Sequence, residues 1–231
     1  MTRFTETSST GHGAHHGDAT DAPASPFEAY DEKIAAAELR RYRKKGPNPW
    51  TRALVDALVA EGVQGTTLLD IGGGIGAIQH ELLAAGSVSA ISVDASSAYL
   101  DAARKESDRR GLSGRVTYHH GDFVELVDTV PPADIVTLDR VLNVYPDWER
   151  LAALSADRAR RLYGIVVPMD TPFVRLVIRL INFRLRRQGK RLRAAIIPID
   201  EVDRVLRTKA FTRQTSARVG PAWQVAIYRR T

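Results

Sequence analysis

The stretch LLDIGGGIGAIQHELL, residues 68–83, begins with an apolar run, continues with four glycines and ends with helix-forming residues. LLDIG is typical of a buried strand, and residues 75–85 are predicted to form a helix. The turn between strand and helix contains Gly72, Gly73, Gly74 and Gly76. Glycine lacks a Cβ and tolerates positive φ, so a ligand can lie against main-chain N–H groups at the positive end of the helix. The turn therefore predicts a nucleoside or nucleotide site, with tight strand-to-helix packing as the alternative.

Strand and helix patterns alternate after this turn. Strands are predicted at TTLLDIG, SAISVD, RVTYHHGD, ADIVTLD and LYGIVVP, and helices at 75–85, 97–110 and 147–160 separate them. This alternation implies right-handed crossovers, hence a parallel sheet covered on both faces. A helix at 199–209 precedes FTRQTSARV and AWQVAIYRR, two strands whose short Gly220-Pro221 connection permits only an antiparallel pair. The predicted fold class is α/β: a doubly wound, Rossmann-like, seven-stranded and mostly parallel sheet ending in an antiparallel hairpin.

A single domain is predicted over residues 25–231, after a disordered tail over residues 1–24 that is rich in Gly, Ser, Thr, Ala and His. Ser25, Pro26 and Glu28 form a capping-box pattern that opens the N-terminal helices of residues 25–60. Residues 171–198 are predicted to be a helical cap insertion. No metal site is predicted for the tail segment GHGAHHGD, because nothing would hold its ligands in place.

Composition excludes several kinds of protein. The chain has 231 residues and no cysteine, which rules out disulfides, thiolate zinc sites and cysteine nucleophiles. No apolar run approaches the roughly 20 residues of a membrane span, and MTRFTETSST lacks the apolar segment of a secretory signal. A cytoplasmic protein is expected.

The net charge of +6 arises largely from one segment. Residues 173–193 hold eight Arg or Lys and no acid, whereas residues 1–32 are acidic on balance. Residues 173–188 predict an amphipathic helix, with Arg175, Arg179, Asn182 and Arg186 on one stripe and Phe173, Val177, Ile178, Ile181 and Leu185 on another. Such a local excess argues against a nucleic-acid partner. The helix is instead predicted to close over an acceptor, to expose a solvated basic face, or to make transient contact with an anionic membrane.

Three aspartates follow successive predicted strands at the sheet edge where open α/β sheets bind ligands. Asp94 ends the second strand, where a carboxylate can accept both hydroxyls of a ribose. Asp122 ends the third strand and could meet an adenine amino group, while Phe123 offers the ring an apolar face. Asp139 ends the fourth strand, nearest the reaction end of the cleft. Together with the glycine turn, these strand ends predict one site.

These motifs resemble those of the class I S-adenosylmethionine-dependent methyltransferases, of the small-molecule type. LLDIGGGIGAI is similar to their first motif, SVDAS to the second, HGDF to the third and ADIVTLDRVLNVYPD to the fourth. LDRVLNVYPD is further similar to small-molecule methyltransferases near the magnesium-protoporphyrin carboxyl methyltransferases, from which no acceptor is inferred. The resemblance covers roughly residues 48–230.

The resemblance implies S-adenosylmethionine as the cofactor and a methyl group as the unit transferred. It implies that the glycine turn faces the methionine part and that Asp70 fixes that turn and the cofactor's amino group. Asp139 and Arg140 would line the border between the methionine part and the acceptor.

The same resemblance implies a site for the nucleoside part of the cofactor. Asp94, with the adjacent Ala95, would hold the ribose, and Asp122 with Phe123 would hold the adenine.

A general base is needed only if the attacking O, N or C atom arrives protonated. Asp139, His119 and Tyr145 are the predicted catalytic residues, and His120 is a further candidate base. No NPPY or DPPY follows the fourth strand, and no RNA-binding module is appended, so a small organic acceptor is expected. Two alternatives are an NAD-dependent Rossmann oxidoreductase and a non-catalytic nucleoside-binding module at a membrane surface.

Overall fold

The computed structural model describes residues 32–189 and 192–231, arranged as a sheet covered by helices on both faces. The described helices are α1 (Glu32–Lys45), α2 (Pro49–Ala60), α3 (Ala77–Ala84), α4 (Ser97–Arg109), α5 (Phe123–Leu126), α6 (Trp148–Asp157), α7 (Pro172–Arg187) and α8 (Ile199–Arg207). The described strands are β1 (Thr67–Ile71), β2 (Ser89–Asp94), β3 (Val116–His120), β4 (Ala133–Asp139), β5 (Ala159–Pro168), β6 (Phe211–Val219) and β7 (Trp223–Arg230). Within these ranges, no helix combines the length and apolar character needed to cross a bilayer.

The strand order is β3-β2-β1-β4-β5-β7-β6. Strands β1 to β5 are parallel, and β7 runs antiparallel to both β5 and β6. The order reverses beside β1, so the crossovers from β1 and β4 leave in opposite directions and open a crevice at the carboxyl ends of these strands. The predicted fold class, including its terminal hairpin, is confirmed.

Alternation along the central strands builds a core on each face of the sheet. On β1, Leu68 packs with Leu54 of α2 and Leu82 of α3, because successive side chains of a strand point to opposite faces. Leu69 packs on the other face, among residues that include Leu151 of α6 and Leu206 of α8. Both leucines are fully buried.

A smaller cluster fastens α1 beside the glycine turn. Leu39 and Tyr42 of α1 pack with Ile75 and with Tyr99 of α4. The buried carboxylate of Glu106 on α4 reinforces this contact by accepting a hydrogen bond from Arg43 Nε at 2.7 Å. Helix α1 is thereby held against the carboxyl edge of the sheet.

The element boundaries differ from the predictions in a few places. Strand β5 begins at Ala159, not at residue 162, and α6 ends at Asp157, because Ala159 already pairs with Ala133 of β4. The short helix α5 was not predicted. The predicted capping box of Ser25, Pro26 and Glu28 and the predicted tail lie outside the described residues.

Helix α7 differs from the predicted amphipathic pattern. Val174 is buried, whereas Phe173 and Ile181, predicted on the inward stripe, are 57% and 45% exposed. Asn182, predicted on the basic stripe, is half-buried, and its side-chain amide exchanges two hydrogen bonds with the backbone of Ala194. The helix therefore rests on the protein along a narrower face than its sequence pattern indicated.

Candidate functional site

A cavity of about 280 Å³ lies at the carboxyl ends of β1, β2, β3 and β4. Most of the predicted cofactor-binding residues line it: Gly72, Gly74, Asp94, Ala95, Asp122, Phe123, Asp139 and Arg140. A second cavity, of about 60 Å³, shares Gly72, Gly74, Asp139 and Arg140 with the first and adds Asp70 and Gly73. The topology thus brings predicted residues from positions 70 to 140 to one place.

Within the glycine turn, Gly74 is the position that faces open space. Its φ is 55°, in the left-handed region, and a Cβ built there would meet only Tyr99 Cδ1, at 4.0 Å. The other turn glycines are needed for packing. A Cβ would collide with Val141 at Gly72, would lie 2.8 Å from Ser92 Oγ at Gly73, and would collide with Gln79 and His80 at Gly76. The packing interpretation therefore holds at Gly72, Gly73 and Gly76, whereas Gly74 leaves room for a ligand.

Asp70, at the end of β1, carries a buried carboxylate that is only half satisfied. Its Oδ1 accepts a hydrogen bond from the Thr137 hydroxyl at 2.7 Å, whereas its Oδ2 has no partner among the described residues. Burial raises the pKa of Asp70 to about 7, and the charges of Asp139 and Asp94 add to this, against the lowering effect of the Thr137 bond. A ligand cation in the smaller cavity would satisfy Oδ2 and favour the ionised form.

Asp94 ties the second strand to the glycine turn. Its Oδ2 accepts from the Gly74 N–H at 2.9 Å, and its Oδ1 accepts from the Ser96 N–H at 2.8 Å. Burial raises the pKa of Asp94, while these two backbone bonds oppose the rise. Each carboxylate oxygen retains a second lone pair, so the group can still accept hydroxyl donors from a ligand.

Asp122 and Tyr145 form a hydrogen-bonded pair on the wall of the larger cavity. The Tyr145 hydroxyl donates to Asp122 Oδ2 at 2.8 Å, and the Val124 N–H donates to Oδ1 at 2.9 Å, which caps α5. Burial, the hydrogen bond and the charge of Asp122 all raise the pKa of the Tyr145 phenol. Tyr145 therefore stays a protonated donor near neutral pH, which argues against its predicted role as a general base.

Asp139 and Arg140 form the other end of the site, with two tryptophans. Arg140 Nε donates to Asp139 Oδ1 at 3.1 Å, and the Thr51 hydroxyl donates to Oδ2 at 2.5 Å. The guanidinium carbon lies 5.2 Å from the ring centroid of Trp50 and 5.8 Å from that of Trp223, within cation–π range. Arg140 also has a φ of 61°, a strained value for a residue with a side chain. The fold thus fixes one guanidinium at the cavity wall.

Two predicted site residues line neither cavity. Gly76 caps α3 and packs on the buried ring of His80. His119, on β3, pairs with Val93 of β2. It lines neither cavity, so the geometry gives no support to its predicted catalytic role. His120 is exposed and lies 3.2 Å from the carbonyl oxygen of Ala95 through Nε2. Among the described residues, therefore, both cavities are lined without a histidine.

Several cavity residues were not predicted. Glu38 of α1 lines both cavities, Arg41 lines the smaller one, and Trp223 and Asn143 line the larger one. The Oδ1 of Asn143 is buried without a hydrogen-bond partner in the described structure. A sequence signal exists only for Asn143, which lies in the fourth motif. The other residues reach the site through the packing of α1 and the pairing of β7 with β5, which no local pattern reveals.

The arrangement suits a ligand with separate cationic, sugar-like and planar parts. Asp70 offers an acceptor to a cation, Asp94 to hydroxyls, and Asp122 with Phe123 offers a polar edge and an apolar face to a ring. Arg140 provides a fixed positive charge at the opposite end. Such a site can hold two reactants together, which is the requirement of a group-transfer reaction.

Comparison with known proteins agrees with this geometry. Residues 26–161, more than half of the chain, match the model of the O-methyltransferase domain. No curated protein matches the sequence.

Solved structures show the same fold at low sequence identity. Magnesium protoporphyrin IX methyltransferase from Synechocystis PCC 6803, with bound SAH, is 16% identical with a TM-score of 0.69, over 88% of this chain and 98% of that one. An O-methyltransferase family 2 protein from Planctomyces limnophilus DSM 3776, in complex with apigenin, is 20% identical with a TM-score of 0.66, over 93% of this chain and 63% of that one. The domain match over more than half of the chain shows that it belongs to the O-methyltransferase domain family, and hence to the class I S-adenosylmethionine-dependent methyltransferases.

Proposed function

We propose that the chain transfers a methyl group from S-adenosylmethionine to an oxygen of a small organic acceptor, and that the attacking oxygen lies beside Arg140. The observation that carries this proposal is the convergence of Asp70, Asp94, Asp122 and Arg140 on two adjoining cavities. The cytoplasmic location stays a prediction.

The residues present fit the cofactor. The unpartnered Oδ2 of Asp70 beside the smaller cavity fits an ammonium group, and Arg41 in the same lining fits a carboxylate. The open space at Gly74 fits a ligand that lies against the main chain. Asp94 and Asp122 in the larger cavity fit the ribose and the adenine. These assignments agree with those implied by the sequence resemblance.

When bound, S-adenosylmethionine supplies an electrophilic methyl group on a sulfonium sulfur. The positive charge of Arg140 lowers the pKa of an acceptor hydroxyl beside it, so this hydroxyl can give its proton to bulk solvent as the acceptor enters the site, without a histidine base. Asp139 and the two indole rings hold the guanidinium in position. Apolar side chains such as Ile71, Val141 and Val144 line the larger cavity and exclude water from the reacting atoms.

Calorimetry tests the cofactor assignment. We expect binding of S-adenosylmethionine and its demethylated product, and none of NAD.

The cofactor affinity should also depend on pH. Because the pKa of Asp70 is raised to about 7, this carboxyl takes up a proton as the pH falls through neutrality, and an ammonium group then loses its partner. The affinity should therefore decrease by about fivefold to tenfold between about pH 7.5 and pH 6. Asp70→Asn should bind more weakly, without this pH dependence. Tight binding of NAD alone would contradict the proposed function.

Arg140→Gln tests the assignment of the acceptor end. The variant removes the charge beside the attacking oxygen, so we expect methyl transfer to decrease by about 10- to 100-fold while the cofactor Kd stays within about threefold. The loss should shrink as the pH rises, because a higher pH ionises the acceptor without help. Arg204→Gln, which disrupts an exposed pair with Glu149, is the matched control. Unchanged turnover in Arg140→Gln would remove Arg140 from the reaction.

A further inference from the structure

Helix α7 exposes a continuous apolar stripe. Of the eight large apolar side chains that are exposed in the described part of the chain, five lie on this helix: Phe173, Leu176, Leu180, Ile181 and Phe183. Phe173, Leu176, Leu180 and Phe183 follow the i, i+3, i+7, i+10 spacing of one helix face. Each of these four is more than half exposed, so the stripe lacks a partner within the described structure.

Arginines border this stripe without any acidic residue on the helix. Arg175, Arg179, Arg184, Arg186 and Arg187 are exposed, and no Asp or Glu occurs in residues 171–199. Arg175 forms an ion pair with Asp170, and Arg187 lies over the ring of Phe183, whereas Arg179, Arg184 and Arg186 have no ion pair with a described residue. The outer face of α7 is therefore apolar in the middle and positive at its edges.

The helix is held to the protein in this orientation. Val174 is buried on the inward side, and the Asn182 amide bonds both backbone groups of Ala194 at 2.8 and 2.9 Å. The next residue, Ala195, donates its N–H to the carbonyl oxygen of Asn143, a residue of the larger cavity. The stripe is thus presented outward on a fixed helix that begins just after the carboxyl end of β5.

The charge pattern selects among possible occupants of this face. A second copy of the chain would place the same patch against itself in a symmetric dimer and would bring arginines against arginines. A lipid surface with anionic headgroups satisfies both parts of the pattern, because leucine and phenylalanine enter the acyl boundary while arginines meet the headgroups.

We infer that α7 is an interfacial membrane-binding helix, which lies in the headgroup region of an anionic bilayer with Phe173, Leu176, Leu180 and Phe183 inserted. This inference does not depend on the proposed cofactor or acceptor. It would place the carboxyl edge of the sheet, where both cavities lie, next to the lipid surface.

Co-sedimentation of the full chain with vesicles tests the inference. We expect binding to vesicles of phosphatidylcholine with phosphatidylserine, at least about tenfold weaker binding to phosphatidylcholine alone, and weaker binding as salt rises. Replacing Arg179 and Arg186 with Glu should weaken partitioning by more than about 20-fold. Replacing Arg40 and Arg218 with Glu is the matched control, because both are exposed, lie outside α7 and change the net charge equally. This control should retain most of the binding.

A second variant isolates the apolar stripe. Leu176→Gln, Leu180→Gln and Phe183→Gln together should weaken vesicle binding by at least about tenfold even at low salt, and S-adenosylmethionine binding and thermal stability should stay unchanged because these side chains are exposed. Equal losses in the two arginine variants, or undiminished binding of the glutamine variant, would overturn the inference. The inference would also be overturned if the unaltered protein did not bind anionic vesicles. A dimer that the glutamine variant abolishes, in a protein that does not bind vesicles, would show that the stripe contacts a second copy of the chain instead.

Discussion

Asp94→Ala is expected to weaken binding of S-adenosylmethionine by about two orders of magnitude. The variant removes charge-assisted hydrogen bonds to the ribose hydroxyls, which are worth on the order of 2 to 4 kcal/mol together. It also leaves the N–H groups of Gly74 and Ser96 without their carboxylate partner, so the glycine turn keeps only its backbone bonds to Val93 of β2. The free energy of unfolding should decrease by only about 1 to 2 kcal/mol, because the rest of the sheet edge is unchanged.

Titration calorimetry and chemical denaturation measure these two effects separately. Asp94→Asn keeps one acceptor oxygen and should give an intermediate affinity. Asp101→Ala removes an exposed carboxylate from the same region, on α4, and should leave the Kd unchanged. A normal Kd for Asp94→Ala would show that the ribose does not lie against this residue.

Gly74→Val is expected to abolish measurable cofactor binding while the protein still folds. The position has a φ of 55°, so any side chain adds backbone strain, on the order of 1 to 2 kcal/mol. The methyl groups of valine would project into the cavity, where the nearest atom to a built Cβ is Tyr99 Cδ1 at 4.0 Å. The expected result is loss of binding by steric exclusion rather than by unfolding.

A matched variant separates strain from exclusion. Gly111 has a φ of 69°, and a Cβ built there would meet nothing within 4 Å. Gly111→Val should therefore lower the free energy of unfolding by a similar amount and leave the cofactor Kd unchanged. If Gly74→Val binds the cofactor normally, the glycine turn serves packing alone.

The sequence predicted the sheet because its signals are local. Apolar runs such as LLDIG alternate with helical patterns, and Asp94, Asp122 and Asp139 lie at or just after the last residues of β2, β3 and β4. The carboxyl ends of parallel strands meet at one edge, so these residues had to lie together. The hairpin of β6 and β7 could equally be predicted from the short turn that joins the two strands.

The proposed acceptor end around Arg140 was not predictable in the same way. Trp223 reaches it because Pro168 of β5 pairs with Trp223 of β7, and Trp50 comes from α2, far away in sequence. The left-handed backbone of Arg140 has no sequence signature. His119 lines neither cavity, because the strand pattern alone does not show which face of β3 meets the site, and its catalytic role stays a prediction. The outward apolar stripe on α7 could likewise not be predicted, because apolar residues lie on both faces of that helix and the sequence does not show which face is exposed.

The carboxylates of Asp70, Asp94 and Asp122 also bear on how the enzyme responds to its own product. In the binding mode proposed above, these three residues contact the amino group, the ribose and the adenine, which the reaction leaves unchanged. Interactions that are equal before and after transfer strengthen binding without favouring turnover. The demethylated product should therefore compete strongly with fresh cofactor, and flux in a cell would follow the ratio of the two compounds more than the amount of either. An enzyme that removes this product should raise the measured rate more than added S-adenosylmethionine does.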